Sequence, residues 1–419
     1  MSDFEDDHVS SVVAHYTARA TQNDAGRVNT RSLAVRRFNN WVKFVTISEA
    51  INTIKGRRKF INPDILDYCG GMGGDLMKWT RARARSYVLV DVVESSVREA
   101  LGRRRRQETK HSLYAKRQKQ SFMEPSAFVV ADAGKDSLDD VLPPDCWFDI
   151  VSCQFAAHYM FDYEHRAKMF FKNASCRLRI GGIFIMTIPN ANYIVKKTRE
   201  NLQDDPHGFV PPPAMVEQGF PPNPAPGFGS NLYGVVFPEH VTLKKYGTPY
   251  TFWLADAIDC CEEYLIHEKE MENTAQDYGF ELIQNQPFTQ LLESHYSAPS
   301  FIKNKLQDMK VFDTHDDTLS QDAWELAHFY SALMFKKVRK TSPHESKAAP
   351  FSSLNHLGLY KCTNNRLEEL PADIQPDGTA APVNKTWVYE LQQWEIGPQD
   401  DWNQKFEPSI PDFDKYLPY

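Results

Sequence analysis

The sequence predicts an α/β fold in which a doubly wound, mostly parallel sheet carries helices on both faces. Three observations predict it: five β-rich runs end at polar residues, helical segments separate these runs, and a glycine-rich turn follows the first of them. Strands that alternate with helices form parallel sheets, because each crossover helix returns the chain to the same end of the sheet.

The predicted elements follow one another along the chain. A helix is predicted over residues 30–54, where Phe38, Trp41 and Val45 recur at helical spacing. The five strands are predicted at residues 65–67, 87–91, 127–132, 148–152 and 182–187. Residues 204–229 are crowded with proline and glycine, which predicts a loop or insertion. Beyond it we expect strands at 232–237 and 250–254, a helix at 262–278 and a last strand at 329–335.

The composition is that of an ordinary globular protein. Of 419 residues, 42% are hydrophobic and 25% are charged, which suffices for a sizeable core. No apolar stretch approaches the roughly 18 residues that span a bilayer, and the start is acidic, so we expect neither secretion nor a membrane span. Seven scattered cysteines without CxxC spacing favour neither a disulfide framework nor a zinc site. We therefore expect a reducing compartment.

Charge is distributed unevenly. Residues 342–419 hold six Lys/Arg, twelve Asp/Glu and nine prolines, so we expect a loosely ordered, acidic extension there. Residues 81–119 hold twelve Lys/Arg and four Asp/Glu. This basic cluster fits a phosphate-rich partner, a solvated helix face or a nuclear-import signal, and charge alone does not choose between them.

We divide the chain into three parts. Residues 1–12 form an N-terminal tail, residues 13–340 form one domain that contains the proline-rich insertion, and residues 341–419 form the acidic, proline-containing C-terminal extension.

The most informative segment is the turn that begins at Cys69 and contains Gly70, Gly71, Gly73 and Gly74. Glycines let a ligand approach the backbone closely, and the next helix N-terminus offers it free N–H groups. Asp residues end the second and third strands, where a carboxylate can accept from both hydroxyls of a ribose or from an adenine amine. The turn lacks the GxGxxG spacing of dinucleotide enzymes. This edge therefore predicts a site for a nucleotide-like cofactor.

Five ordered motifs carry a closer resemblance. They are Phe38-Asn39-Asn40-Trp41-Val42-Lys43, residues 67–79 with Gly73-Gly74-Asp75-Leu76-Met77-Lys78-Trp79 at their end, Phe148-Asp149-Ile150-Val151-Ser152-Cys153-Gln154-Phe155-Ala156-Ala157-His158-Tyr159, Glu263-Tyr264-Leu265-Ile266, and Trp324-Glu325 through Tyr330. Over residues 13–337 the chain resembles the mRNA cap guanine-N7 methyltransferases. The resemblance implies a Rossmann-like class I methyltransferase sheet of the seven-stranded type. It also implies methyl transfer from S-adenosylmethionine to N7 of the guanosine cap of mRNA.

The resemblance further implies a role for individual residues. The residues implied around S-adenosylmethionine are Lys43, Cys69, Gly71, Asp91, Asp132, Gln154 and Tyr159. The residues implied around the cap are Asn39, Asn40, Met72, Lys78, Arg103, His158, Glu263 and Tyr330. Glu263 would accept from the guanine N1–H and N2 amine, and Lys78 and Arg103 would reach the triphosphate bridge. All of these groups would bind and position, so we expect no acid–base catalytic residue and no metal.

The resemblance implies 5′-capped mRNA as a partner, and RNA polymerase II or other capping machinery and an activating subunit as further partners. It implies no membrane partner and a location in the nucleus. Two residues depart from the family pattern, which has glycine at Cys69 and lysine at Met72. A side chain at Cys69 crowds the methionine end of the cofactor, and the loss of a cation at Met72 weakens the grip on the cap phosphates.

Two alternatives stay open. A cap- or RNA-binding paralogue with little or no methyltransferase activity would lose S-adenosylmethionine affinity and keep cap affinity. A class I methyltransferase for a small molecule or a protein is the other, and Glu263 and the Asn39-Asn40 pair argue against it.

Overall fold

A computed structural model describes residues 9–17, 30–55, 62–115, 123–238, 242–296, 301–312, 319–341, 350–371, 386–388 and 393–395. The strands are β1 (Asp64–Tyr68), β2 (Ser86–Asp91), β3 (Ser126–Val130), β4 (Phe148–Gln154), β5 (Leu178–Pro189), β6 (Gly227–Gly229), β7 (Tyr233–Val236), β8 (Pro249–Leu254), β9 (Ile258–Tyr264), β10 (Phe280–Pro287), β11 (Tyr330–Lys337), β12 (Gly358–Thr363), β13 (Arg366–Leu370), β14 (Thr386–Val388) and β15 (Gln393–Glu395). The helices are α1 (9–17), α2 (Leu33–Lys55), α3 (Leu76–Arg81), α4 (Glu94–Ala115), α5 (Leu138–Val141), α6 (Glu164–Cys176), α7 (Ala191–Asp204), α8 (Pro213–Val216), α9 (Glu268–Asp277), α10 (Phe288–Tyr296), α11 (Phe301–Asp308) and α12 (Gln321–His328), with a 3₁₀ helix at Ala157–Met160.

The central sheet has the strand order β10-β11-β5-β4-β1-β2-β3-β12-β13. Strands β1 to β5 pair in parallel, and β11 and β10 join them antiparallel at one side. The predicted doubly wound, mostly parallel sheet is therefore confirmed. All five residues of β1 and of β3 are buried, because helices cover both faces of the sheet.

Three apolar clusters hold the fold together. One packs α6 and α9 against one sheet face, and another packs α2, α3 and α4 against the opposite face. The third joins α2 to a second sheet, ordered β6-β7-β8-β9, and to α10 and α12. Trp41 of α2 is fully buried in this third cluster, so α2 links the two sheets.

The helix predicted at residues 262–278 begins later than expected. Residues up to Tyr264 belong to β9, and the helix α9 starts at Glu268. On β9 the side chain of Glu262 is exposed and that of Glu263 is buried, which is the alternation of a strand. The prediction was wrong here because two adjacent glutamates are typical of a helix surface. The sequence alone does not show that this segment pairs with β8.

The C-terminal extension is more ordered than predicted over residues 350–371. Its strand β12 pairs in parallel with β3, and β13 pairs antiparallel with β12. Strand β12 thereby covers the N–H and C=O groups that β3 would otherwise leave open at a sheet edge, and β13 becomes the outer strand. The rest of the extension lies outside the described residues, apart from the β14–β15 pair.

Two further boundaries differ from the sequence prediction. Helix α1 runs across the division drawn between the tail and the domain at residue 13. The proline-rich insertion is not all loop, because it contains α8, the strand β6 and a bridge between Phe209 and Ala225. The division into three parts stays a prediction.

We expect the β12–β13 hairpin to contribute to global stability. Leu359 is fully buried in the cluster between the sheet and α4, so Leu359→Ala should lower the free energy of unfolding by about 2–4 kcal/mol. A urea titration measures this free energy of unfolding. The exposed Glu368 on β13 supplies the control, since Glu368→Ala should change stability by less than about 0.5 kcal/mol. Equal stability of the Leu359 variant and the parent would contradict this assignment.

Candidate active site

A cavity of about 290 Å³ opens at the carboxyl ends of β1 to β4. Parallel strands direct these ends to one sheet edge, where the loops that follow them can meet around a ligand. All seven residues predicted around the cofactor line this cavity, namely Lys43, Cys69, Gly71, Asp91, Asp132, Gln154 and Tyr159. Their individual roles stay predictions.

The turn after β1 has a left-handed backbone at three positions. Cys69, Gly71 and Gly73 have φ angles of 57°, 51° and 69°. A non-glycine residue in this conformation costs about 1–2 kcal/mol, which explains why glycine suits position 69 and why Cys69 is strained there. Cys69 lines the cavity despite this strain.

Asp91 joins this turn to the end of β2. Its Oδ2 accepts from the Gly71 amide at 2.8 Å, and its Oδ1 accepts from the Val93 amide at 2.9 Å. Burial raises the pKa of Asp91 although these amides oppose the shift. The carboxylate is thus held in one orientation at the cavity wall.

Asp132 lies two residues beyond β3 and is held on two sides. Its Oδ1 accepts from the Gly134 amide at 2.8 Å, and Arg166 on α6 donates to its Oδ2 at 3.1 Å. Arg166 also donates to Asp162 at 3.0 Å and lines the cavity itself. Sequence reasoning missed Arg166, because the ion pair joins residues 34 positions apart.

Asp75 lies between two lysines. Its Oδ1 is 3.0 Å from Nζ of Lys43 and 2.8 Å from Nζ of Lys78. Burial opposes ionisation of Asp75, but the two ammonium groups outweigh it and lower its pKa to about 2. Lys78 also donates to the side-chain oxygen of Asn40, so two residues predicted at the cap contact each other.

Asp67 also lines the cavity and is less readily ionised. Burial, and then the charge of Asp75, raise its pKa to about 7. The Tyr87 hydroxyl donates to it at 2.6 Å.

A buried polar cluster adjoins the cavity; we call it the His158 cluster and define it as His158, Tyr250, Glu263 and Tyr330. Glu263 accepts from the Tyr250 hydroxyl at 2.6 Å, and its Oε1 is 3.4 Å from Nε2 of His158. Burial, and then the Glu263 charge, raise the pKa of Tyr330 well above its usual value. Among the described residues, neither ring nitrogen of His158 has a hydrogen-bond partner.

The cavity and the His158 cluster share a wall. The rings of His158 and Tyr159 are 4.3 Å apart between centroids, and Phe155 packs edge-on against Tyr330 at 5.1 Å. Tyr159 and Phe155 both line the cavity. A group bound in the cavity therefore faces the cluster across these rings.

Helix α1 covers the same cavity. Val9, Val12 and Tyr16 line it, and the Tyr16 hydroxyl is 3.1 Å from that of Tyr159. The sequence analysis missed these residues, and it assigned Val9 and Val12 to an N-terminal tail. The signal was present, since apolar residues at 9, 12, 13 and 16 have helical spacing.

The remaining cap predictions are not brought to the cavity wall. Its described lining does not include Asn39, Met72 or Arg103. Asn39 is half-buried on α2 and Met72 is half-buried in the turn after β1. Arg103 on α4 pairs with Glu99 at 2.8 Å.

The basic cluster is largely neutralised along α4. Arg98, Arg103 and Arg106 pair with glutamates on the same helix. The buried Arg104 forms an ion pair with Glu108. This part of the cluster is a helix face with internal ion pairs. Side chains of residues 109–122 lie outside the described part.

The family model of the mRNA (guanine-N(7))-methyltransferase domain matches residues 1–209 and 221–338. The chain belongs to this family. Among its relatives, mRNA cap guanine-N(7) methyltransferase 1 of Oryza sativa subsp. japonica is 32% identical, over 80% of this chain and 83% of that protein. The protein of the same name from Arabidopsis thaliana is 32% identical over 78% and 80%, and the mRNA cap guanine-N(7) methyltransferase of Schizosaccharomyces pombe is 31% identical over 78% and 81%.

This cap methyltransferase is an enzyme that uses S-adenosylmethionine to methylate N7 of the guanosine cap of mRNA. The cavity fits that cosubstrate. The buried Oε1 of Gln154 has no hydrogen-bond partner within the described residues, so it can accept from a ligand ammonium. Asp91 lines the cavity with a carboxylate, a group that is able to accept from both hydroxyls of a ribose.

The described residues offer neither a metal-binding group nor a membrane-spanning helix. They contain no group of three or more His, Cys, Asp or Glu side chains that could hold a metal ion. No helix within them is long and apolar enough to cross a membrane.

We expect Asp67 to make the cap methyltransferase less stable as pH rises. An unfolded aspartate releases its proton near pH 4, whereas folded Asp67 keeps it until about pH 7. The contribution of Asp67 to the free energy of unfolding is therefore fully present below pH 4 and is lost as the pH rises to 7. The loss is at most about 1.4 kcal/mol per pH unit. Asp67→Asn should raise the thermal midpoint at pH 8 and change it little near pH 4.

The neighbouring Asp75 provides a control of opposite sign. Asp75→Asn leaves Lys43 and Lys78 without their shared carboxylate, so it should lower the thermal midpoint throughout pH 5–8. Equal gains in both variants at pH 8 would contradict the charge assignments.

Proposed function

We propose that the cavity holds the adenosine of S-adenosylmethionine between Asp91 and Asp132, with its methionine end over the turn after β1, and that the His158 cluster holds the cap guanine. The observation that carries this proposal is the shared wall of Tyr159 and Phe155 between cavity and cluster. It places the two assigned sites side by side, which in-line methyl transfer requires.

The cofactor assignment rests on orientation. Asp91 accepts from two backbone amides on one side, which holds its carboxylate toward the cavity. Carboxylates fixed in this way bind a ribose diol without losing side-chain entropy on binding. Lys43 and Gln154 then stand near the opposite, methionine end with a cation and an amide oxygen.

The guanine assignment rests on buried polar atoms. His158 is only 3% exposed, its Nε2 faces Glu263 at 3.4 Å, and its Nδ1 has no hydrogen-bond partner among the described residues, which is costly unless a ligand supplies one. Glu263 is 2% exposed and is held by the Tyr250 hydroxyl, so one carboxylate oxygen keeps a fixed direction. A guanine edge with two donors complements this acceptor, whereas adenine does not.

Catalysis by this arrangement consists of positioning. Bound S-adenosylmethionine supplies an electrophilic methyl group on a sulfonium. Guanine N7 has a lone pair and no proton at neutral pH, so no side chain has to act as a base. The rings of Tyr159 and Phe155 border both sites, and α1 covers the cavity with Val9, Val12 and Tyr16, which keeps water from the bound groups.

The triphosphate assignment is carried by Lys78, which also donates to Asn40. Lys78 shares the single carboxylate of Asp75 with Lys43, so two ammonium groups face one carboxylate. The excess of positive charge suits an anionic bridge. Met72 and Arg103 stay predictions, and we expect Arg103 to exchange Glu99 for phosphate only on binding.

The physiological setting is proposed more broadly. The family acts on capped mRNA, and this supports RNA polymerase II or other capping machinery, an activating subunit and a nuclear location as predictions for this chain. No observation favours either the non-catalytic paralogue or a small-molecule or protein methyltransferase. A methyl-transfer assay on unmethylated capped RNA tests the proposed function directly.

We expect Asp91→Ala to abolish activity through loss of the cofactor. Removing the carboxylate leaves a ribose diol unpaired and should weaken S-adenosylmethionine binding by about 2–4 kcal/mol. Isothermal titration calorimetry measures this affinity. Asp91→Asn keeps one acceptor oxygen, so its affinity for S-adenosylmethionine should lie between those of the parent and of Asp91→Ala. The affinity for a cap analogue should be unchanged in both variants. Parental cofactor affinity in Asp91→Ala would remove Asp91 from the site.

We expect Glu263→Gln to lose guanine selection. The amide replaces one acceptor oxygen by a donor, so one guanine donor meets an N–H, at a cost of roughly 1–3 kcal/mol. The measurement compares methylation of guanosine-capped and inosine-capped RNA, because inosine lacks the N2 amine. The parent should prefer guanosine and the variant should lose most of that preference, with S-adenosylmethionine affinity kept.

The adjacent glutamate supplies a matched control. Glu262 lies on the exposed face of the same strand and accepts from Tyr264, so Glu262→Gln should keep the guanosine preference. A preference unchanged in Glu263→Gln, or lost equally in Glu262→Gln, would exclude Glu263 as the guanine reader.

A further inference from the structure

The β12–β13 hairpin lies beside the half of the cavity that we assign to adenosine. It belongs to the C-terminal extension, and the family model ends at residue 338. The hairpin is thus an addition to the matched domain that reaches a functional edge of its sheet.

The pairing brings the hairpin next to Asp132. Strand β12 runs parallel to β3, with Gly358 opposite Ala127 and Lys361 opposite Val130. Asp132 follows two residues after Val130, at the same end of the sheet. Successive β12 residues therefore lead directly to the turn that carries Asp132.

A first contact joins the hairpin to that turn through Asp136. The Asp132 amide donates to Oδ2 of Asp136 at 2.7 Å, and the Asp136 amide donates back to the Asp132 carbonyl at 2.8 Å. Cys362 on β12 is a neighbour of Asp136: burial, and then the charge of Asp136, raise the pKa of the Cys362 thiol to about 11.

A second contact joins the hairpin to the start of α4. Nζ of Lys361 is 3.1 Å from the carboxylate of Glu94, the first residue of α4. Arg98 donates to the Pro371 carbonyl at 3.0 Å. The turn between β2 and α4 contains Val93, whose amide orients Asp91.

We propose that this hairpin positions Asp91 and Asp132 and thereby sets the affinity of the enzyme for S-adenosylmethionine. Cys362, Lys361 and Asp136 are positioning residues, because they act through the turns that carry the two carboxylates. The inference rests on the proposed function of the cavity and assigns to the C-terminal extension a role in cofactor binding.

The physical reason is the short reach of a carboxylate. Asp132 has one oxygen on the Gly134 amide and the other on Arg166, so only the backbone of its turn can adjust its place in the cavity. A displacement of well under 1 Å suffices to lose a hydrogen bond of normal length. Partners that fix such a turn commonly affect affinity nearly as strongly as the contacting residue itself.

The test uses full-length protein with single substitutions and S-adenosylmethionine as the titrated probe. Asp136→Ala should weaken its binding about five- to tenfold, and Cys362→Ala about two- to fourfold. The KM for S-adenosylmethionine should rise in parallel, while the KM for capped RNA and the kcat at saturation stay at parental values. Asp136→Asn keeps the acceptor and Cys362→Ser is a conservative change, so both should restore most of the affinity.

An exposed residue on the outer strand serves as the control. Arg366→Ala alters β13 without touching either turn, and this variant should bind S-adenosylmethionine as the parent does. The thermal midpoint of each variant shows whether it is merely unstable. Where an alanine variant is unstable, the S-adenosylmethionine affinity of Asp136→Asn or Cys362→Ser replaces it in the test.

Each outcome is decisive. If the parent fails to bind S-adenosylmethionine, the proposed function fails. If the parent binds and Asp91→Ala does not, but Cys362→Ala binds like the parent, the function stands and this inference is overturned, whatever the effect of Asp136→Ala. Equal losses for cofactor and capped RNA, without rescue by Asp136→Asn, would also overturn it, because they indicate a general structural role.

Discussion

The hydrogen bond from the Gly71 amide to the Asp91 carboxylate joins the turn after β1 to the end of β2, and the rest of the site depends on it. It requires a left-handed backbone at Gly71, so that the amide turns toward the neighbouring strand. The same carboxylate orients the start of α4 through Val93. One acidic side chain thereby fixes the turn, the helix and the cofactor edge relative to each other.

Charge balance is the second constraint. Around the turn, Asp67 and Asp75 are buried beside Lys43 and Lys78, and burial makes their protonation states unequal. Asp75 stays ionised because two ammonium groups contact it, whereas Asp67 has a hydroxyl partner and resists ionisation. The two lysines thus share one ionised carboxylate next to the turn after β1.

Much of the cofactor edge was predictable from the sequence. Asp91, Asp132 and Gln154 follow buried β runs, and parallel strands bring such positions to one edge whatever the loops between them. The cap side was less predictable, because Glu263 reaches His158 from a second sheet. The strand of Glu263 and the burial of its carboxylate exist only when β8 is paired beside it.

The sequence by itself determined the strand–helix alternation, the family and the residues at the strand ends, because hydrophobic period and short motifs are local properties of the chain. Only the tertiary structure decided that α1 closes the cavity and that Arg166 holds Asp132. It also decided that the C-terminal hairpin continues the sheet at β3. These contacts join segments far apart in the chain, and their free energy comes from covering an open strand edge and pairing buried charges, which arise only after the sheet has formed.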